Sequence, residues 1–454
     1  MKKIENRAVV CLLLALLLAA GMACFLLRYL VRGSSWASAA FNRHLYNSQG
    51  QLMAGTVLDR DGDVLSSAEN GVRTYYDSET VRKATLHAVG DLQGRIGTGA
   101  LNAFAGKLTG WNPAGGAFGA DRGGELTLTI DARYNYEAYQ ALNGRAGTVA
   151  VYNYKTGEIL CMVSAPSYDP LRVPEDLETS DRYKGAYLNR FLSSVFTPGS
   201  VYKTVTLAAA LENLPDLESR TWSCSGSVQI GEETIVCSGV HGEQDIAAAF
   251  ANSCNCAFAD IAVELGADTL RRYTEKAGLT SSHRVDGLSS ARGSFDWELD
   301  EGRLGWAGVG QDKDLVNPCA LMVYMGAIAN GGRAAEPRLI LREKRGLLSL
   351  PRLPSRSGRL VERDTAEKLA ELMAGNVERT YGSGRFPNME LCAKSGTAEV
   401  GEGRRPHAWF AGFLQNEDAP YAFVALVENG GGGSSAAGDV AARTLNVIVN
   451  GYEK

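Results

Sequence analysis

The chain has 454 residues, 45% of them hydrophobic and 21% charged, which is enough for two or three domains of ordinary globular composition. Its 46 basic and 51 acidic side chains give a formal net charge of -5. This balance provides no basic surface for a phosphate backbone, so we expect no nucleic-acid partner.

The first predicted element is a membrane span. The segment Ala8–Leu27 carries no charge and consists mostly of Leu and Ala. Its length matches a hydrocarbon core of roughly 30 Å. A cleaved signal peptide is the alternative, but its apolar stretch is usually only about 7–15 residues long. We therefore predict a single-pass anchor over residues 8–30.

Basic residues before the span indicate its orientation, because positive residues accumulate on the cytoplasmic side. They predict a cytoplasmic tail over residues 1–7, with the chain after the span outside the cytoplasm, at the cell membrane. Basic residues on the far side weaken this signal. The residues concerned are Lys2, Lys3 and Arg7 before the span and Arg28 and Arg32 after it.

Residues 34–145 form a first segment outside the membrane, with short strand-like pieces and many turn residues. The stretch "LDRDGDVLSSA" reads as two extended runs joined by a tight turn. We do not predict a calcium loop here, because the later ligands of such a loop are missing.

The second segment, residues 146–454, has strand patterns at both ends and helical patterns between them. A hairpin is predicted over Gly147–Pro166, helices over 200–213 and 256–266, three strands in 390–429 and a last helix over about 439–449. This order predicts an α+β domain in which helices cover an antiparallel sheet.

Two of the nine cysteines lie in the predicted span and seven outside it. Cys224 and Cys237 bracket a predicted hairpin, and a disulfide between them stays open. Cys254 and Cys256 have no matching Cys or His cluster in the sequence, so we predict no metal site.

The stretch "FTPGSVYKTV" places Ser200 one helical turn before Lys203. Thr197 can cap this helix, and Pro198 suits its first turn. A serine hydroxyl becomes a nucleophile when a base takes its proton, and a lysine can be that base if burial lowers its pKa. For an isolated Ser-x-x-Lys, a surface serine and a snorkelling lysine would be the better interpretation.

Two later pieces favour the chemical interpretation. Ser253-Cys254-Asn255 is the one Ser-x-Asn in the chain, and it lies between two helical patterns. Lys394-Ser395-Gly396-Thr397 lies in an extended run, where Gly396 allows a ligand or another backbone to approach closely. Lys155-Thr156-Gly157 also fits the third pattern, but a hairpin turn explains it.

These three motifs, in this order, resemble those of penicillin-binding proteins and serine β-lactamases. The likeness to class B penicillin-binding proteins runs from about residue 50 to near the end. It implies one anchor, a non-catalytic pedestal over 34–145 and a D,D-transpeptidase domain over 146–454, with a five-stranded antiparallel sheet flanked by helices. Further segments that carry it are "GTVAVYNYKTGEILCMVSAPSYDP", "LNRFLSSVFTPGSVYK", "FANSCNCAFADIAVELG", "NPCALMVYMGAIANGG", "LCAKSGTAEV" and "HAWFAGFL". One departure is Asp312, at a position where glycine is common.

The resemblance assigns the acyl chemistry to four residues. Ser200 would attack the carbonyl of a D-Ala-D-Ala stem peptide, and Lys203 would take its proton. Ser253 would relay a proton to the leaving amine, and Asn255 would hydrogen-bond the donor peptide or Lys203. An amine of a neighbouring stem peptide would then receive the acyl group, whereas β-lactams would acylate the same serine.

The third motif is assigned to substrate binding. By the same resemblance, Lys394 and the hydroxyls of Ser395 and Thr397 would hold the terminal carboxylate beside Gly396. The backbone N–H groups of Ser200 and Thr397 would form the oxyanion hole. No cofactor and no metal are implied.

The rival functions are a β-lactamase or D,D-carboxypeptidase, in which water receives the acyl group, and a non-catalytic β-lactam sensor or scaffold. The expected partners are peptidoglycan stem peptides, β-lactam antibiotics, the membrane and, by family analogy, a polytopic lipid II glycosyltransferase of the SEDS family. His407, next to the proposed active strand, is expected to pack rather than react.

Overall fold

The computed structural model describes residues 2–39, 45–69, 71–111, 116, 123–345, 348–351, 354–401 and 403–451. Its helices are α1 (Lys2–Ala37), α2 (Glu79–Val89), α3 (Ala100–Ala103), α4 (Ala105–Leu108), α5 (Ala132–Leu142), α6 (Arg190–Ser193), α7 (Lys203–Asn213), α8 (Ile246–Ala251), α9 (Asn255–Leu265), α10 (Ala267–Lys276), α11 (Glu301–Gly308), α12 (Pro318–Ala329), α13 (Arg363–Asn376) and α14 (Gly438–Asn450).

Its strands are β1 (Thr56–Leu58), β2 (Val64–Glu69), β3 (Val72–Tyr75), β4 (Glu125–Leu128), β5 (Gly147–Asn153), β6 (Ile159–Ala165), β7 (Trp222–Cys224), β8 (Ser227–Ile230), β9 (Glu233–Val236), β10 (Gly242–Gln244), β11 (Arg284–Val285), β12 (Leu288–Ser289), β13 (Ile340–Arg345), β14 (Leu348–Pro351), β15 (Leu391–Ala398), β16 (His407–Leu414) and β17 (Tyr421–Val427).

Helix α1 is apolar, and its residues up to Arg28 are exposed. Its stretch Lys2–Gly33 contains a window of mean hydropathy 2.9, none of which is buried against the rest of the chain. A helix of this length spans more than the roughly 30 Å of a hydrocarbon core, and a lipid bilayer would cover its leucines. The helix has the properties of a membrane anchor, and it extends beyond both ends of the predicted span 8–30.

The five-stranded sheet has the order β15-β16-β17-β5-β6, and every neighbouring pair is antiparallel. Side chains alternate between its faces, so Trp409 joins the core that contains α7 and α12, whereas Phe410 joins the core that contains α5 and α14. The predicted α+β class and its helix-flanked antiparallel sheet are confirmed.

The second sheet has six strands in the order β14-β13-β4-β1-β2-β3. Strand β1 pairs with β2 through the predicted tight turn, in which the Asp59 carboxylate accepts the N–H groups of Asp61 and Asp63. Strands β13 and β14 reach this sheet from beyond α12, and β13 pairs antiparallel with β4. The sequence analysis placed a boundary between two segments at residue 145, and it did not predict that β13 and β14 return to the sheet of the first segment.

The two parts of the chain also meet through a buried ion pair. Arg82 on α2 donates two hydrogen bonds, each of 2.7 Å, to the two carboxylate oxygens of Asp169 in the loop after β6. His87, one and a half turns further along α2, lies 2.9 Å from the carbonyl oxygen of Ala186 through Nε2. A bidentate pair of this kind fixes orientation as well as distance.

Candidate active site

The segment that carries Ser200 lies directly against strand β15. Gly199–Val201 form a short 3₁₀ turn and α7 begins at Lys203, so Thr197 does not cap the helix as predicted. Its carbonyl instead accepts a hydrogen bond of 2.9 Å from the indole N–H of Trp409 on β16. Ser200 is thereby presented at a tight turn before the helix.

Two glycines make this close approach possible. Gly199 has a φ of 57°, and a Cβ atom there would lie 2.7 Å from the carbonyl oxygen of Thr397. A Cβ atom at Gly396 would lie 2.8 Å from the carbonyl oxygen of Pro198. The sequence predicted that another backbone or a ligand could approach Gly396, and the neighbour is the serine turn itself.

Lys203 is completely buried and holds the second motif. Its Nζ donates to the Ser253 carbonyl oxygen at 2.6 Å and to Asn255 Oδ1 at 2.7 Å, and it lies 3.3 Å from Ser253 Oγ. The ring of Phe258 lies 5.5 Å from the same nitrogen. Within the described chain, Ser200 Oγ makes no hydrogen bond to Lys203, and such contacts often tighten only when substrate binds.

Lys394 on β15 also contacts Ser253. Its Nζ donates to Ser253 Oγ at 2.9 Å and to the Ser395 carbonyl oxygen at 3.1 Å, and Phe250 lies 5.7 Å away. Ser253 itself has a φ of 55°, a left-handed conformation that is uncommon for a residue with a Cβ atom. Its hydroxyl therefore lies between two lysine amines.

Both amines are shifted towards their neutral forms. Burial lowers the pKa of Lys203 to about 7, against an opposing effect of nearby cysteine sulfurs. Burial, followed by the charge of Lys203, lowers the pKa of Lys394 well below its usual value. Among the described residues, no carboxylate forms an ion pair with either lysine, so no opposite full charge from a carboxylate offsets the cost of burying theirs.

A cleft of about 1310 Å³ opens above these residues. The predicted residues that line it are Ser200, Ser253, Asn255, Ser395 and Thr397. Lys203, Lys394 and Gly396 lie behind this lining, and both lysines have no exposed surface. The fold thus brings all three motifs together, with the hydroxyls at the surface of the cleft and the amines beneath them.

Tyr381 is a site residue that the sequence analysis did not identify. Its hydroxyl accepts the Ser395 N–H at 2.8 Å and lies 3.1 Å from Ser395 Oγ. It sits in a π-helical turn after α13, close to β15 only through tertiary packing. No local pattern around Tyr381 marks this contact.

Two minor expectations have clear outcomes. His407 packs edge-on against Phe196 and its Nδ1 accepts the Asn429 N–H at 3.0 Å, a structural role. Asp312 has a φ of 64°, which accounts for a preference for glycine there, and its carboxylate pairs with Arg303.

The expectation that Cys254 and Cys256 have no Cys or His partners is wrong. The ligand atoms of Cys224, Cys237, His241 and Cys254 all lie within 4.8 Å of one another. Cys224 and Cys237 are both free thiols, so the disulfide left open between them is not formed in the structure. The spacing Cys-x12-Cys-x3-His-x12-Cys is the signal that could have identified this group.

The sequence matches known proteins over most of its length. A family model described as the penicillin binding protein transpeptidase domain matches residues 147–450. Peptidoglycan D,D-transpeptidase PbpA of Mycobacterium tuberculosis is 30% identical over 359 residues, which are 72% of this chain and 72% of the relative. Peptidoglycan D,D-transpeptidase MrdA of Acinetobacter baumannii is 25% identical over 368 residues, 70% of this chain and 52% of the relative.

Solved structures show the same similarity. The penicillin G acyl-enzyme complex of penicillin-binding protein A from M. tuberculosis has a TM-score of 0.78 at 26% identity, covering 87% of this chain and 99% of that one. The D,D-transpeptidase domain of a peptidoglycan glycosyltransferase from Eggerthella lenta has a TM-score of 0.76 at 26% identity. The match covers 87% of this chain and 98% of that one.

Proposed function

The chain belongs to the penicillin-binding protein transpeptidase family as a class B member, and we propose that it cross-links peptidoglycan as a membrane-anchored, serine-based D,D-transpeptidase. The observation that carries this function is the buried amine of Lys203, hydrogen-bonded to Ser253 and Asn255 directly behind the cleft. A neutral amine at this position is suited to act as a base near neutral pH.

In the first step, Ser200 Oγ attacks the carbonyl carbon of the penultimate D-Ala of a stem peptide. Lys203 takes the hydroxyl proton, and the N–H groups of Ser200 and Thr397 stabilise the developing oxyanion. The bond to the terminal D-Ala then breaks. Its amine receives the proton from Ser253, which Lys203 reprotonates across the 3.3 Å between Nζ and Oγ.

In the second step, an amine from a neighbouring stem peptide attacks the acyl-enzyme and releases Ser200. The same relay then runs in reverse, since the incoming amine must lose a proton. Asn255 holds Lys203 through Oδ1 and is itself anchored by its Nδ2, which donates to the Val236 carbonyl oxygen at 2.8 Å. β-Lactams acylate the same serine, because they mimic the peptide donor.

The terminal carboxylate of the donor contacts Ser395 and Thr397, whose hydroxyl-bearing side chains line the cleft. Lys394 acts from beneath, because its amine is fully buried and reaches the cleft through Ser253 Oγ. An arriving carboxylate favours the charged form of this lysine, since opposite charges nearby raise the pKa of an amine. Gly396 keeps the serine turn against β15.

The function is tested by intact mass after incubation of the full-length protein in detergent with labelled penicillin. The wild type is expected to gain one adduct, and Ser200→Ala none. Ser435→Ala is the matched control, because Ser435 also lines the cleft but its hydroxyl donates to the Gly432 carbonyl oxygen, outside the three motifs. A wild type without an adduct, or an adduct that survives Ser200→Ala, would overturn the assignment.

The rate at which the adduct disappears separates the rival hydrolases from a transpeptidase. A β-lactamase would regenerate free enzyme quickly with water, whereas a transpeptidase holds the penicilloyl group until it is slowly hydrolysed. Release of D-Ala from a stem peptide, with and without an added amine acceptor, distinguishes a carboxypeptidase. Rapid loss of the adduct would contradict the transpeptidase assignment.

We place the transpeptidase domain outside the cytoplasm and propose a polytopic lipid II glycosyltransferase of the SEDS family as its partner. The basic residues in the first turns of α1, before its apolar stretch, support the orientation. A cross-linking enzyme needs new glycan strands within reach, which supports a membrane-embedded polymerase beside the anchor. The orientation is tested in intact cells with an amine-reactive reagent that does not cross membranes, which should label the domain; labelling only after lysis would contradict it. The partner is tested by co-purification with such a polymerase.

A further inference from the structure

The segment between β7 and β10 has little core of its own. It contains two two-stranded ribbons, β7 with β10 and β8 with β9. Isolated two-stranded ribbons are marginally stable in water. The side chains of Val236 and Val240 in this segment are exposed. Ile230 and Ile235 attach this segment to the main core, and a disulfide, a metal ion or another cross-link would stabilise it further.

Three thiols and one imidazole converge at the base of this segment. Cys237 Sγ lies 3.9 Å from Cys254 Sγ and 3.6 Å from His241 Nδ1. Cys224 completes the group, in which every pair of ligand atoms is within 4.8 Å. For a tetrahedral zinc ion with bonds of about 2.3 Å to sulfur, neighbouring sulfur atoms lie about 3.8 Å apart. The separation of 3.9 Å between the sulfur atoms of Cys237 and Cys254 matches that edge.

Burial and access also suit a bound ion. Cys224 and Cys254 are buried, whereas Cys237 and His241 line the active-site cleft, which provides an entry path. The Asn255 N–H points at Cys237 Sγ at a distance of 3.2 Å. Backbone N–H groups directed at a sulfur atom commonly orient thiolate ligands of metal ions.

We propose that Cys224, Cys237, His241 and Cys254 bind one structural zinc ion that fixes the second catalytic motif. Cys254 lies between Ser253 and Asn255, which hold the amine of Lys203. The ion would join the ribbon segment to this motif from behind the cleft. Three thiolates and one imidazole in tetrahedral arrangement select zinc over the oxygen-preferring cations. The zinc is structural, because all four positions are filled by protein.

Cys256 is the competing fifth group. Its Sγ lies 3.6 Å from Cys224 Sγ, so oxidation could join Cys224 to Cys256 and Cys237 to Cys254. Both sulfur separations are far longer than a disulfide bond of about 2.05 Å. That pairing would also leave His241 without a role. The two arrangements make opposite predictions for metal content and for mass.

The test measures zinc by elemental mass spectrometry in the full-length protein, purified in detergent without chelators. One zinc per chain is expected for the wild type and for Ser200→Ala, so the result does not depend on the acyl chemistry. Cys224→Ser and His241→Ala are expected to lose zinc. Cys256→Ser, a neighbouring thiol, and Cys319→Ser, a buried thiol elsewhere, are expected to keep it.

Two further measurements protect the test against misfolded variants. Removal of zinc from the wild type is expected to lower its melting temperature, and Co²⁺ added back is expected to give the absorption bands of tetrahedral thiolate coordination. A wild-type chain without zinc and lighter by four hydrogen atoms under non-reducing conditions would overturn the proposal. Loss of zinc in Cys256→Ser with retention in Cys224→Ser would overturn the ligand set.

Discussion

The active-site cleft and the junction between α2 and the loop after β6 both bury cations, but the groups that contact these cations differ. At the junction, Arg82 meets Asp169 through two hydrogen bonds of 2.7 Å. In the cleft, Lys203 and Lys394 meet hydroxyl, amide and carbonyl groups, and no described carboxylate pairs with them. Arg82 therefore stays charged at the junction, whereas burial in the cleft lowers the pKa of the two lysine amines.

The physical basis of this difference is the partner of each charge. The hydrogen bonds that Arg82 donates to Asp169 raise the pKa of Arg82, so the guanidinium stays charged. Burial alone would raise the pKa of Asp169, but the bonds from Arg82, the Leu171 N–H and the nearby positive charges together outweigh it, and the pKa is lowered. Lys203 has no such partner, and burial lowers its pKa to about 7. A residue of the same charge is thus structural in one place and reactive in the other.

The largest expected effect comes from Lys203→Arg. Arginine keeps the positive charge but does not release its proton in proteins, so it cannot act as the base. We expect the rate of penicillin acylation to fall by roughly 10²- to 10⁴-fold. Stopped-flow or gel-based acylation kinetics measure this effect, with circular dichroism to verify folding. Wild-type rates in this variant would rule out Lys203 as the base.

The junction should respond in the opposite way to Arg82→Ala. This change leaves the Asp169 carboxylate buried and unpaired, which costs about 3–5 kcal/mol of unfolding free energy. The acylation rate of the folded protein should be unchanged. Arg271→Ala is the control, because it removes an exposed pair with Glu275 worth about 0.3–0.5 kcal/mol. Chemical denaturation measures both; equal effects would show that the buried pair has no special weight.

Gly396→Ala tests the contact between the serine turn and β15. The new methyl group would lie 2.8 Å from the Pro198 carbonyl oxygen, so the turn or the strand must move. Overpacking of this kind costs about 1–3 kcal/mol, and acylation should slow because Ser200 is displaced. Gly375→Ala in α13, where a methyl group has no neighbour within 4 Å, is the control and should be neutral or stabilising. Unchanged acylation in Gly396→Ala would contradict this account.

The smallest effect is a dependence on pH. The acylation rate should rise with pH about a midpoint near 7, because only the neutral Lys203 accepts a proton. Between about 7 and 10.5 the unfolded chain binds more protons than the folded chain at this residue, so the unfolding free energy gains from rising pH. Asp169 contributes in the acid range. Its pKa is lowered in the folded chain, so the unfolding free energy decreases as the pH falls through that pKa. A flat acylation profile from pH 6 to 8 would contradict the assigned base.

Local patterns were sufficient for most of the elements around the site. Runs rich in β-forming residues and bounded by turn residues identified β5, β6 and the three strands β15, β16 and β17, and helical patterns identified α7, α9 and α14. The motif residues Ser200, Ser253 and Lys394 were selected from residue type and order in the chain. These properties depend on neighbours within a few positions, so they can be read without the fold.

Long-range pairing was beyond those patterns. Strand β13 is separated from β4 by the whole helical part of the chain, and nothing in its own residues specifies that partner. The same holds for Tyr381 beside Ser395 and for the sulfur atoms around Cys254. Contacts of this kind are created when distant segments pack into one core, which local sequence does not encode.

The chain's residues alone thus predict a family, an anchor and the groups proposed to carry the reaction. Packing decides how those groups behave: a lysine near the surface would stay charged, and Lys203 is suited to the proposed role of base only because the folded chain removes water from it. The reason is that solvation and burial belong to the assembled molecule, and the pKa of an amine follows its surroundings rather than its position in a motif.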